Sequence, residues 1–219
     1  MPVIRQNLTT VNFNSRGTNP TWIVIHNTYN HTSKAGTAYN NTVYFKNVYR
    51  GASAHYFIDD GDEIWQCVKD TDSAWHVGDA ASRNGAGNWN AIGIEVCETN
   101  DGYFTDKEQQ NLTWLVTQLM RKYGIDANHV CRHYDVTGKS CPWYYVSARR
   151  WEQLKSQITE EDMAIDYELL ADRVVDKLMR YVLKGDNGYT ADIGRRICRM
   201  DDKTQAIMDS LKSIDKKTK

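Results

Sequence analysis

The sequence lacks an excess of charge of either sign, a long apolar run and an apolar leader. Among its 219 residues, 27 Lys and Arg balance 28 Asp and Glu, which gives a formal net charge of −1. Nucleic-acid-binding proteins usually carry a basic excess, so we expect no nucleic-acid partner. No run approaches the ~20 apolar residues that span a bilayer. The start, MPVIRQNLTTVNFNSRG, lacks the apolar stretch of a secretory signal. We therefore expect no membrane insertion and synthesis in the cytoplasm.

Cysteine is scarce, and its count does not suit a disulfide framework. The chain has five cysteines, an odd number, scattered along its length. Without an export signal, reduced thiols are the expectation. Cys67, Cys97 and Cys131 lie in apolar, strand-like runs and are predicted to be buried in the core. Cys141 differs because a histidine and a lysine precede it closely.

Alternating strand and helix patterns predict an α/β domain over residues 1–158. Apolar runs predict strands at 22–25, 54–58, 63–68, 91–97 and 129–131, and periodic patterns predict helices at 34–50, 105–124 and 147–158. The Asp-Gly step within residues 59–62 indicates a hairpin, which would make the central sheet mixed. Residues 159–219 predict a small helical module, opened by Thr159-Glu160-Glu161-Asp162. It could form a helical hairpin, a three-helix bundle or an oligomerisation segment.

Tryptophan and tyrosine far outnumber phenylalanine, with 7 Trp and 13 Tyr against 4 Phe. Such amphipathic rings suit sugar-binding grooves, although they also fill ordinary cores and surfaces. Trp75 and His76 precede a Gly-, Asn- and Ser-rich loop that runs through Trp89 and Asn90. A loop of this length and composition is either functional or mobile.

Two segments carry residues that suit metal chemistry. His133 and Cys141 lie eight residues apart around Gly138, with Lys139 between them. Imidazole and thiolate are common zinc ligands, and a loop can direct both towards one ion. His26 follows the apolar run 22–25, where it could be a ligand or a structural residue. Together these three residues could hold zinc (Zn²⁺) and leave a fourth position open.

Glu95 interrupts the apolar run 91–97. A carboxylate inside such a strand must be paired, bind a cation or have its protonation shifted. The alternative is that Glu95 faces solvent at the edge of the sheet.

Four short motifs follow one another along the chain. They are Ile-His-Asn-Thr at 25–28, Ser-Ala-His-Tyr at 53–56, Ala-Ile-Gly-Ile-Glu at 91–95 and His133-x7-Cys141-Pro142. Over residues 15–157 this arrangement resembles the zinc N-acetylmuramoyl-L-alanine amidases of the peptidoglycan-recognition and phage-lysozyme type, particularly phage endolysins. The resemblance implies an α/β fold with a mixed sheet and zinc held by His26, His133 and Cys141. It implies hydrolysis of the amide bond between muramic acid and L-alanine in bacterial peptidoglycan.

The resemblance also implies roles for other residues. Lys139 would stabilise the oxyanion, and Glu95 would act as general base or orient the water. Some members carry a tyrosine where this chain has Ala54, so the acid–base role falls to Glu95. His55, Trp75 and His76 would contact glycan or stem peptide, although His55 could equally be a packed residue beside the site.

Other interpretations of the same motifs are a non-catalytic peptidoglycan-binding protein and a cytosolic muropeptide-recycling amidase. The former typically lacks the cysteine ligand, and the latter usually has aspartate at that position and no helical module. The module would bind the cell wall or form a homodimer through the helical pattern at 193–214. Without a signal peptide, a phage lysin would reach the wall after release through holin pores.

Overall fold

The protein is described here by a computed structural model over residues 1–78 and 82–159. The strands of these residues, in chain order, are β1 (Val3–Gln6), β2 (Phe13–Ser15), β3 (Trp22–Asn27), β4 (Tyr56–Ile58), β5 (Glu63–Gln66), β6 (Asp72–Ala74), β7 (Ala91–Val96) and β8 (Val130–Arg132). The α-helices are α1 (Thr37–Phe45), α2 (Asp106–Tyr123), α3 (His133–Thr137) and α4 (Ala148–Thr159). Short 3-10 turns lie at Ala127–His129 and Trp143–Val146.

Six of the strands form one mixed sheet in the order β1-β5-β4-β7-β3-β8. The β4–β5 pair is antiparallel, and the other neighbours in this sheet are parallel. The predicted hairpin at 59–62 therefore makes the sheet mixed, as expected from its Asp-Gly step. β2 and β6 form a separate antiparallel pair. The prediction of an α/β fold with a mixed central sheet is confirmed.

Side-chain alternation gives the sheet two different faces. In β7, Ile92, Ile94 and Val96 point into the main core, while Gly93 and Glu95 point to the opposite side. We call the first side the helix face and the second the site face. β3 follows the same rule, because Ile23 and Ile25 join the main core and Val24 joins a smaller cluster on the site face.

Two amphipathic helices cover the helix face. Thr105 and Glu108 form a reciprocal capping box at the start of α2, and Gly124, with a φ of 68°, ends it. The buried side chains of these helices, which pack against the sheet, are Leu112, Leu115, Val116 and Leu119 of α2 and Trp151, Leu154 and Ile158 of α4. The site face is left open near the ends of β3 and β7.

Several predicted boundaries change. The helix expected over 34–50 is shorter, and the turn-and-loop expected from His133 onwards begins with the helix α3. The strands β1, β2 and β6 were missed because they are short, and all four residues of β1 are exposed. Thr159, the first residue of the predicted helix start at 159–162, is the last residue of α4, whose apolar pattern continues to the buried Ile158. The predicted module at 159–219 otherwise lies outside the described residues.

Cys67, Cys97 and Cys131 are buried, as predicted. Within residues 1–78 and 82–159, no helix combines the length and the apolar character needed to cross a bilayer.

Candidate metal centre and groove

Two adjacent strands bring a histidine and a carboxylate to the same end of the site face. His26 in β3 pairs in register with Glu95 in β7. The distance between His26 Nδ1 and Glu95 Oε1 is 4.0 Å. Because β7 lies between β4 and β3 inside the sheet, the alternative that Glu95 faces solvent at an edge is wrong.

The segment 133–141 folds back so that both of its ends reach the same point. His133 is the first residue of α3, which directly follows β8. The helix ends at Gly138, whose φ of 85° is left-handed, and the N–H of Tyr134 then donates to the carbonyl of Cys141 at 2.8 Å. A Cβ at position 138 would lie 2.4 Å from the Arg83 guanidinium. The left-handed backbone conformation therefore favours glycine there, whereas the flexible end of the exposed Arg83 side chain could move aside.

His26, His133 and Cys141 form a buried group that could hold a metal ion, with ligand atoms all within 4.8 Å of one another. His26 Nδ1 lies 3.1 Å from His133 Nδ1 and 3.7 Å from Cys141 Sγ. A tetrahedral zinc ion, with bonds of about 2.0–2.1 Å to nitrogen and 2.3 Å to sulfur, would set these separations at roughly 3.3 and 3.6 Å. The donor set and its spacing fit such an ion. The other two candidate ligands, His133 and Cys141, follow His26 by 107 and 115 residues.

Burial sets the protonation of this group. It lowers the pKa of His26 well below its ordinary value, and nearby His76, His133 and Lys139 lower it further. It also lowers the pKa of His133 to about 4, so both imidazoles are neutral near pH 7 and have a lone pair to offer. Burial raises the pKa of the Cys141 thiol to about 12. A cation bound beside the sulfur would favour its thiolate form.

Glu95 is a carboxyl group without a full set of partners. Its Oε2 is buried and accepts no hydrogen bond among the described residues. Burial raises the pKa of Glu95 to about 8, and the positive charge of Lys139 partly opposes this rise. Lys139 itself is exposed, and it lines the groove beside His133. The arrangement places a titrating carboxyl and a cationic side chain around the three candidate ligands.

His76 contacts the centre directly and is almost completely buried, with 8% of its surface exposed. Its Nδ1 lies 3.0 Å from His26 Nε2, the ring nitrogen that points away from the ligand group. Trp75, the preceding residue, is half-buried, and both residues lie in the groove wall. The structure therefore brings His76 to the centre itself and Trp75 only to the groove.

His55 occupies the interior and has no exposed surface. Its Nδ1 accepts a hydrogen bond from the Gly93 N–H at 3.0 Å, which places the ring proton on Nε2, 3.0 Å from the Asp72 carbonyl. The Arg16 guanidinium lies against the same nitrogen at 2.9 Å. Burial is the main cause that lowers the pKa of His55 to about 3, and the positive charge of Arg16 also lowers it. A side chain so enclosed cannot touch a substrate here, which supports the packed alternative over the predicted substrate contact.

An open groove of about 940 Å³ runs beside the centre. Its lining includes His133 and Lys139 at one end and three aromatic side chains, Trp75, Tyr49 and Trp89. Tyr49 and Trp89 are 75% and 67% exposed, although large aromatic side chains are usually half-buried or more. The groove can therefore offer flat apolar surfaces to a bound molecule that extends away from His26, His133 and Cys141.

Sequence reasoning missed three residues around this site. Tyr49 was interpreted as part of a helix, and its exposure follows from the earlier end of α1. Asn88 accepts hydrogen bonds from two successive backbone N–H groups, those of His76 and Val77. The hydroxyl of Tyr29 donates to the carbonyl of Ser140, next to Cys141. The loop composition around Trp89 was a usable signal for Asn88, but no local pattern marks Tyr29.

Comparison with known families agrees with this geometry. The sequence profile of the family described as N-acetylmuramoyl-L-alanine amidase matches residues 16–144, a segment that contains His26, Glu95, His133, Lys139 and Cys141. The N-acetylmuramoyl-L-alanine amidase CwlH of Bacillus subtilis (strain 168) is 36% identical over 143 residues, which cover 65% of this chain and 54% of that protein. The chain spans about half the length of the curated relatives it matches.

Solved structures give the same result. A mutant endolysin from Bacillus subtilis has a TM-score of 0.62 at 34% identity, covering 72% of this chain and 99% of that chain. The catalytic domain of XlyA, an amidase of Bacillus subtilis (strain 168), has a TM-score of 0.59 at 36% identity, covering 71% and 98% respectively. Nearly the whole of each of these domains is therefore matched by part of this chain.

Proposed function

The chain belongs to the N-acetylmuramoyl-L-alanine amidase family. From this premise we propose that it is a zinc-dependent peptidoglycan hydrolase. It cleaves the amide bond between the lactyl group of N-acetylmuramic acid and L-alanine. The observation that carries the proposal is the convergence of His26, His133 and Cys141 next to the unpaired carboxyl of Glu95, beside an open groove.

His26, His133 and Cys141 would hold the zinc. Two imidazoles and a thiolate are preferred zinc ligands, and a set of three leaves a position for water or substrate. When bound, zinc supplies a Lewis acid for the amide carbonyl and lowers the pKa of water. The protein contributes neutral imidazoles, because burial keeps the pKa of both histidines low.

Glu95 is the acid–base group of the proposal. Its carboxylate takes a proton from the attacking water and passes it to the nitrogen of L-alanine as the amide bond breaks. The free Oε2 leaves an oxygen available for that proton. Its pKa of about 8 lies near neutral pH, where acid–base catalysis is efficient. A cation bound nearby would lower this raised pKa and favour the ionised form that acts as the base.

Lys139 stabilises the negative charge that develops on the carbonyl oxygen. The tight turn at Gly138 holds the lysine between two candidate ligands, and its ammonium group influences the pKa of Glu95, His133 and Cys141. A positive charge beside a developing oxyanion lowers the energy of the transition state. Trp75, together with Tyr49 and Trp89, would contact the glycan or the stem peptide along the groove.

A digest of purified cell walls tests the proposal. We expect new free amino termini of L-alanine without new reducing sugar ends, loss of activity in a metal chelator, and recovery when zinc is added back. Reducing ends without free L-alanine amino groups would indicate a glycosidase and contradict the proposal. Activity that persists after complete metal removal, verified by elemental analysis, would contradict the zinc dependence.

We also propose a lytic role in which the enzyme acts on the bacterial wall after release from the cell that made it, as in phage lysis and antimicrobial use. Residues 159–219 would then bind the wall or join two copies. The inactive full-length variant Glu95→Gln separates these cases. Co-sedimentation with walls by a monomer supports wall binding, and a solution mass of two chains supports the homodimer.

A further inference from the structure

We propose that His76 is a positioning residue of the metal centre, which accepts a hydrogen bond from His26 and thereby fixes the nitrogen that His26 presents to the metal. The proposal rests on the proposed zinc site. It replaces the predicted substrate contact of His76 with a role inside the protein.

The two nitrogens of His26 face different surroundings. Nδ1 faces His133 Nδ1 at 3.1 Å and Cys141 Sγ at 3.7 Å, while Nε2 faces His76 Nδ1 at 3.0 Å. A neutral imidazole carries one proton, and the nitrogen that binds a metal must be free of it. Ligation through Nδ1 therefore places the proton on Nε2, where His76 Nδ1 is in position to accept it in a hydrogen bond.

The His76 ring is held in place without any ligand. The backbone N–H of His76 and that of Val77 both donate to Asn88 Oδ1, at 2.9 and 3.0 Å. On the other side the ring lies flat on β7, where a Cβ at Gly93 would come within 2.5 Å of its Cγ. Glycine at position 93 and asparagine at position 88 thus fix the ring at the distance that the hydrogen bond requires.

The same contacts argue against a direct role in substrate binding. His76 is 8% exposed, and its Nδ1 is committed to His26. Metal-bound histidines usually donate their second N–H to a carboxylate, a backbone carbonyl or water, and loss of such a partner typically weakens metal binding by about 10–100-fold. Here His76 takes the place of such a partner of His26. The planes of the two imidazole rings are nearly perpendicular, at 89°.

Three full-length variants test this role. His76→Asn keeps an acceptor, because asparagine Oδ1 takes nearly the position of imidazole Nδ1, whereas His76→Leu removes it. His55→Leu is the matched control, since His55 is an equally buried histidine that contacts backbone groups and Arg16 instead of a ligand. Zinc affinity is measured by competition with a chromophoric chelator, and the thermal midpoint of each metal-free variant is recorded. Nitrogen-15 NMR of the zinc-loaded protein reports which His26 nitrogen carries the proton.

We expect His76→Leu to weaken zinc binding by about 10–100-fold, with loss of the protected His26 Nε2–H signal. His76→Asn should recover most of the affinity and the signal, and His55→Leu should lower the thermal midpoint while leaving zinc affinity within a few-fold. Unchanged affinity in His76→Leu, or equal losses in the Asn and Leu variants, would overturn the positioning role alone. A folded wild-type protein that binds no zinc would overturn this role and the proposed function together.

Discussion

Two buried polar clusters on this sheet differ in how completely their atoms are paired. In the first cluster the Asp70 carboxylate, 7% exposed, accepts hydrogen bonds at 2.5–3.0 Å from Tyr56, Gln66, Lys122 and Tyr123. These donors come from β4, β5 and α2, so the cluster joins the hairpin to the long helix. We call it the Asp70 cluster.

The second cluster, the candidate metal centre of His26, His133 and Cys141 with Glu95 beside it, is also largely buried but incompletely paired. Glu95 Oε2 has no partner among the described residues, and the two histidine Nδ1 atoms face each other at 3.1 Å. Burying polar atoms without partners costs free energy. The comparison indicates that the Asp70 cluster contributes to stability, whereas the metal centre retains ligand capacity at the expense of stability.

The largest expected effect is on the metal centre, from Cys141→Ala. Removing the thiolate leaves only two ligands, so we expect loss of stoichiometric zinc and of measurable amidase activity. The chelated variant should unfold at nearly the same temperature as chelated wild type, because the side chain is small and the hydrogen bonds that its sulfur accepts in the metal-free state are weak. Elemental analysis and thermal scans check both parts. A large fall in the metal-free midpoint would contradict the functional assignment of this cluster.

Glu95→Gln should leave zinc in place and reduce kcat by about 10²–10⁴-fold, the usual contribution of a general acid–base group. The amide keeps the shape of the side chain but cannot take a proton from water. Glu98→Gln is the control, since Glu98 is buried on the same segment and already accepts from Thr28 at 3.0 Å. Equal losses of kcat in both variants would show that buried charge in general, and not the position of Glu95, matters.

Asp70→Ala should destabilise the protein by roughly 2–4 kcal/mol, because it leaves the buried donors of Tyr56 and Gln66 without their acceptor. Activity per folded molecule should be retained at low temperature, since the Asp70 cluster does not contact the groove. Chemical denaturation measures the change. Asp62→Ala is the control, since its side chain is 87% exposed and surface ion pairs contribute about 0–1 kcal/mol.

Acid should destabilise the metal-free centre. The pKa of His133 is about 4 in the folded protein against an ordinary value of 6.5, so between these values the unfolded chain binds more protons. The contribution of His133 to the free energy of unfolding is therefore fully present above pH 6.5 and is lost as the pH falls towards 4. The loss is up to about 1.4 kcal/mol per pH unit for each such histidine. Denaturation curves in chelator at several pH values test this slope. Asp70→Ala should keep the slope, and His133→Phe should reduce it.

The smallest expected effect is at the groove rim. Trp89→Ala removes an exposed ring, and with aromatic contacts worth about 0.5–1.5 kcal/mol we expect KM on cell-wall fragments to rise roughly 2–10-fold. The value of kcat should stay within experimental error. Tyr44→Ala, which removes an exposed ring outside the groove lining, should change neither constant. A fall in kcat for Trp89→Ala would place the indole closer to the chemistry than the groove rim.

The sequence was sufficient for the elements that bury an apolar face and for naming the three side chains of the candidate metal centre that the structure brings together. Strong periodicity located α2 and α4, and the Asp-Gly step located the β4–β5 hairpin. The resemblance of motifs at 25–28, 91–95 and 133–142 indicated the ligand set that the structure brings together. These features depend on local patterns or on several short motifs in a fixed order, and both can be recognised in a single chain.

Other features depend on tertiary contacts that no local pattern records. His76 and His55 looked alike as loop or strand histidines, yet one reaches His26 and the other is enclosed by Arg16 and backbone groups. The edge strand β1 has no buried face and so no alternation to recognise. Tyr29 comes close to Ser140 only through the folded loop.

The distance along the chain between His26 and Cys141, 115 residues, has a consequence for how the domain folds. No partly folded chain lacking the pairing of β3 with β8 can bring these ligands together, so zinc would bind only after the long-range topology is complete. An ion that binds the native state alone adds about 2.7 kcal/mol of stability when its concentration is 100 times Kd. Bound zinc would then act as a non-covalent cross-link that closes a loop of more than a hundred residues and retains only correctly assembled molecules.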